Sequence, residues 1–84
     1  MVILTDPQPA PALVYPNPVS GTLYAETKTA MTGVSMTDNF GKELFYLPAT
    51  GNQYHIDVSG FKAGIYFLRI HSKEGTVVER VVKR

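Results

Sequence analysis

His55, Asp57 and Ser59 place a base, an acid and a nucleophile close together, which is the set a hydrolase would need. Spaced at i, i+2 and i+4 they would share one face of a strand. Neighbours would then stand about 7 Å apart, too far to pass a proton without distorting the strand. No glycine-flanked nucleophile elbow surrounds the serine. The three therefore read as the polar outer face of an amphipathic strand, with no catalytic residue among them. A metal site fares no better: His55 and His71 are the available imidazoles, cysteine is absent, and neither a His-x-x-x-His pair nor an Asp-x-Asp-x-Asp loop occurs. Gly60 and Gly64 lie between two strands and not before a helix, so they do not form a phosphate loop. The expectation is a chain that is not an enzyme and takes no metal or cofactor.

Composition narrows the class further. For 9.2 kDa, area scaling gives about 4,900 Å² folded against about 13,300 Å² unfolded, room for one small core. With 44% hydrophobic residues, 18% charged and a net charge of +1, the chain sits among ordinary globular domains. A nucleic-acid platform would pair Tyr54, Tyr66 and Phe67 with a basic groove, but the charge is too balanced, and those aromatics read as core. Residues 1–42 carry two lysines against three acids, and residues 43–84 six cations against four, so the basic excess gathers at Arg80, Lys83 and Arg84. Without cysteine the core holds by packing alone. Met1-Val2-Ile3-Leu4 lacks the basic start and long apolar stretch of a secretion signal, so an exported protein would carry its signal elsewhere, on a larger parent chain.

The elements that would position these residues are strands. Residues 5–12 alternate proline with small residues, which favours extended chain, and residues 1–12 read as a proline-rich linker. From Leu13 on, short alternating runs recur at about ten-residue spacing, with no capped i, i+3, i+4, i+7 stripe. Leu13-Val14-Tyr15 is a first strand stopped by Pro16-Asn17-Pro18. Thr22–Glu26 turns Leu23 and Ala25 inward. Gly33–Asp38 places Val34 and Met36 on one face and Ser35 and Thr37 on the other, and turns through Asp38-Asn39-Phe40-Gly41 into Lys42–Leu47. A strand with Tyr54, Ile56 and Val58 inward follows, then the strongest strand, Gly64–Ile70, which reads as central. Tyr66, two residues past Gly64, has the spacing of a tyrosine corner, whose hydroxyl bonds back to loop backbone. The last strand, Thr76–Val82, buries a charge in either phase: Glu79 with Val77 and Val81, or Arg80 with Val78 and Val82. Lys83-Arg84 reads as a solvated basic tail. The expected fold is all-β, an immunoglobulin-like β-sandwich of about seven short, mainly antiparallel strands.

Taken together, Tyr15-Pro16-Asn17-Pro18-Val19, Asp38–Lys42, Ile56–Phe61, Ala63–Ile70 and the terminal Val81-Val82-Lys83-Arg84 closely resemble the C-terminal sorting domain of cargo proteins of the type IX (Por) secretion system of Bacteroidetes. The resemblance spans residues 13–84 and implies a non-catalytic signal. Such a signal carries an upstream parent cargo from the periplasm across the outer membrane, to be secreted or displayed on the cell surface. It implies two partners, the secretion translocon and a sortase-like protease that cuts before the folded domain, here in or upstream of residues 1–12. Its motifs fall on Pro16, Asn17 and Pro18, on Gly64, Ile65 and Tyr66, and on Val81, Val82, Lys83 and Arg84. From the residues themselves, exposed edge strands would suit pairing with a translocon strand or with a second copy, by edge pairing or strand swapping. The alternative is a non-catalytic β-sandwich binding module for carbohydrate or protein, with a ligand footprint on Tyr54 or Tyr24.

Overall fold

Alternation of apolar and polar residues between glycine, proline and asparagine turns produces seven strands, and among the described residues there is no helix. The computed structural model describes residues 12–84; the linker expected over residues 1–12 falls, apart from Ala12, outside them. The strands are β1 (Leu13–Tyr15), β2 (Thr22–Glu26), β3 (Met31–Asp38), β4 (Glu43–Pro48), β5 (Gln53–Asp57), β6 (Gly64–Ser72) and β7 (Gly75–Lys83). They form two antiparallel sheets, one ordered β1-β2-β5 and the other β4-β3-β6-β7.

The sheets stack through their inward residues. Leu23, Ala25 and Ile56 come from the three-stranded sheet, and Val34, Met36, Leu68, Ile70 and Val81 from the four-stranded one, all buried in one cluster. Fully burying a side chain of this size contributes about 1.5–3 kcal/mol, so this layer is the main favourable term of a core this small. Val58, just past β5, and Val19, between β1 and β2, close its edges.

The unresolved phase of the last strand is settled by Val81, which is 1% exposed. Val77, Glu79 and Lys83 therefore face inward with it, and Val78, Arg80 and Val82 face out. Lys83 is correspondingly buried, with its ammonium donating to the main-chain oxygen of Arg84 at 2.6 Å. Only Arg84 of the expected basic tail is exposed. The physical reason is alternation: Lys83 lies two residues past the buried Val81 and shares its inward face, with the long stem covering apolar surface.

The reading of β6 as an interior strand holds, but β3 is the more deeply buried. It lies between β4 and β6, and Ser35 and Thr37 on its outward face are buried as well. His71 covers Ser35 through a 3.2 Å hydrogen bond, and the Tyr46 ring lies across Gly33. A Cβ at Gly33 would stand 2.5 Å from the Tyr46 hydroxyl oxygen and 2.8 Å from Cζ. Gly33→Ala should therefore lower stability by about 1–3 kcal/mol through overpacking. Tyr46→Ser should remove most of that penalty in the double variant, a non-additivity read by urea unfolding of the four proteins.

Candidate functional site

The sequence-predicted motifs meet at one sheet edge. β7 is the outermost strand of its sheet, so one side of its backbone has no strand to pair with. The segment after β1 crosses from the three-stranded sheet to cover this side. Asn17 Nδ2 donates to the carbonyl of Arg80 at 2.8 Å, and Asn17 Oδ1 accepts from the N–H of Val82 at 2.9 Å. Val19 N–H then donates to the carbonyl of Val82 at 2.8 Å, and Arg84 N–H donates to the carbonyl of Val19 at 2.9 Å. Val19 and Lys83 form an isolated parallel bridge.

The residue types explain why the strap takes this form. Pro16 and Pro18 have no N–H to offer a ladder. The amide of Asn17 carries one acceptor and two donors at its tip and supplies what the backbone lacks. The peptide bonds entering both prolines are cis. Beyond the second proline, Val19 returns to backbone pairing and sinks its side chain into the core at 1% exposure.

On its other side β7 pairs with the start of β6: Gly64 with Lys83, Ile65 with Val82, and Tyr66 with Val81. All three motifs thus occupy the same few rungs, and Pro16–Pro18 meets the last five residues across more than sixty positions of chain. Tyr66 packs against the core, and its hydroxyl donates to the carbonyl of Lys62 at 2.7 Å, the contact expected from its spacing. Sequence reasoning named these residues but not their contact. The signal available was Asn17 itself, an amide set between two residues that cannot donate.

The other candidates are placed as follows. Asp57 Oδ1 accepts the N–H of Ser59 at 2.9 Å, while His55 packs edge-on against Tyr24 with centroids 4.6 Å apart, so the three do not form a relay. The hydroxyl of Ser59, followed by its N–H, holds the Asp57 carboxyl below its ordinary value. His71 bridges Ser35 and Thr76 through its two ring nitrogens, at 3.2 and 3.0 Å. No cluster of three His, Cys, Asp or Glu side chains occurs among the described residues. Tyr54 packs against the core as expected, but Phe67 lies on the opposite face of its sheet, because it alternates with the inward Tyr66 and Leu68. Tyr24 is already engaged, stacked on Tyr15 at 5.5 Å with 16° between planes.

Two outcomes test this geometry. Asn17→Ala should cost about 1–3 kcal/mol, two hydrogen bonds at about 0.5–1.5 kcal/mol each. Asn17→Asp should cost at least as much at neutral pH, since a carboxylate oxygen would face the Arg80 carbonyl; that loss should shrink in acid, where the protonated group can donate, as urea midpoints against pH would show. For Asp57 the sign is opposite. Its folded pKa lies below the ordinary 3.8, so its contribution is complete above that value and fades as pH falls through the lowered folded pKa. The midpoint difference between wild type and Asp57→Ala should be flat at neutral pH and close below about pH 4.

A family model described as a secretion system C-terminal sorting domain matches residues 13–84. Among curated proteins no relative matches the chain.

Proposed function

The chain belongs to the secretion system C-terminal sorting domain family, and from that premise we propose that the strap and last strand joined by Asn17 are what the type IX translocon reads. The family makes the domain a C-terminal sorting signal for export across the outer membrane, fused to an upstream cargo. In the proposed sequence of events, the cargo reaches the periplasm and the folded domain docks on the translocon. A sortase-like protease then cuts in or before residues 1–12, and the cargo is released or attached at the cell surface.

The observation that carries this reading is the joining of the two chain ends by Asn17. A folding-dependent signal needs a feature that exists only once the whole domain has closed. An amide bonded to a strand 63 and 65 residues away is such a feature. β7 also keeps an unpaired stretch before Arg80, which the strap does not reach, where a strand of the translocon can add to the sheet. Glu79 points inward there, which discourages indiscriminate pairing.

A signal peptide and a reporter placed ahead of residues 1–84, in a host with a type IX system, provide the test. The intact fusion should appear outside the cell, with a reporter whose new C-terminus maps at or before residue 12. Asn17→Asp should hold it in the periplasm even where the domain remains folded. Deleting residues 80–84 is a poorer test, because it removes the buried Val81 and so damages the core. Retention of the intact fusion in the periplasm would overturn the reading, whereas a binding module would leave the reporter's destination unchanged by any of these substitutions.

A further inference from the structure

The two outer faces of the sandwich differ sharply in charge. On the three-stranded sheet, Leu23, Ala25 and Ile56 are inward, so Glu26 and Asp57 face out, and no strand residue of that face is a cation. On the four-stranded sheet, Leu68, Ile70 and Val81 are inward, which turns Arg69 and Arg80 outward, both exposed. Arg84, whose N–H still bonds to the strap, continues the alternation of Arg80 and Val82. These are all three arginines of the chain. Four of the five lysines, Lys28, Lys42, Lys62 and Lys73, sit in loops and turns, and the fifth, Lys83, is buried.

The arginines are interleaved with apolar side chains. In the ladder Arg69 lies opposite Val78, Arg80 opposite Phe67, and Ile65 opposite Val82. Val78 is 47% exposed, while Ile65, Phe67 and Val82 are half-buried. The one acid among the strand residues of this face, Glu43, is on β4, beyond the intervening strand β3. Guanidinium groups on β6 and β7 thus frame an apolar strip beside the strap.

We infer that this arginine face of β6 and β7 docks an acidic surface of a partner protein, its carboxylates taken by Arg69, Arg80 and Arg84 and its apolar side chains by the strip between them. The inference rests on the sorting-signal reading and supplies the chemistry of the partner's side of that contact. Arginine suits the task because its planar fork pairs two-pronged with a carboxylate, and it is less strongly hydrated than lysine. Opposite charge also steers encounter, which matters for a folded cargo that must find a translocon by diffusion. The rigid sheet holds the three groups at fixed spacing, so a matching carboxylate array need not pay to order them.

The same reporter fusion tests this. Arg69→Glu with Arg80→Glu should reduce exported reporter by at least ~10-fold, with the periplasmic pool rising and the thermal midpoint of the isolated domain unchanged, since both side chains are exposed. Lys28→Glu with Lys42→Glu makes the same change in net charge outside β6, β7 and the turn between them and should export normally. Arg69→Lys with Arg80→Lys should fall between them, because it keeps charge but loses the fork. Normal export of the double arginine-to-glutamate variant, or an equal loss in the lysine pair, would overturn the inference while leaving the sorting reading intact; failure of the wild-type fusion would overturn the sorting reading itself. Flotation of the purified domain with vesicles of phosphatidylcholine and phosphatidylglycerol at physiological salt should show no binding. Binding there that the arginine substitutions abolish would assign the face to lipid and overturn the protein-partner assignment.

Discussion

A nine-residue strand at the rim of a sheet presents a row of unpaired N–H and C=O groups, and β7 is such a strand. The carboxamide of Asn17 answers part of that row. One donor and one acceptor on a single side chain reach the carbonyl of Arg80 and the N–H of Val82, and Val19 continues the pairing. Prolines on either side prevent an ordinary strand from forming in its place. The edge is therefore closed over its last residues and open before Arg80. That division separates a protected end, where the motifs gather, from an accessible stretch.

The energetic weight of this contact is large for a chain of this length. Stabilities of about 0.05–0.15 kcal/mol per residue imply about 4–13 kcal/mol in all for a domain of 84 residues. Two side-chain hydrogen bonds at about 0.5–1.5 kcal/mol each, together with the burial of Val19 at about 1.5–3 kcal/mol, make the strap a sizeable share of that margin. A small core has few substitutes. Tying the first described strand to the last thus contributes directly to holding the fold.

Around that closed edge the sandwich sorts its side chains by face. The three-stranded sheet carries Tyr15, Tyr24 and His55 packed against one another, rings already committed to each other. The four-stranded sheet carries arginines with apolar residues between them. Beside the arginine face runs one sheet edge, covered over its last residues by the strap.

Period-two alternation was enough to establish from sequence the all-β class, the seven strands and the inward Leu23, Ala25, Val34, Met36 and Ile56, and the spacing of Tyr66 from Gly64 pointed to the bond from its hydroxyl to loop backbone, because each depends on neighbours within a few residues. The five motifs in order were also enough to point to the family. Tertiary structure alone decided the rest. Val77, Glu79, Val81 and Lys83 could face either way until the opposite sheet chose the phase, and Lys83 turned inward with Val81, two residues before it. Ser35 and Thr37 look like solvent positions, yet both are buried in a strand flanked on either side, with His71 bonded over Ser35. Above all, the sequence names Asn17 and Val82 without relating them. Their meeting requires seven strands to close first, and no local pattern encodes a partner 65 residues away.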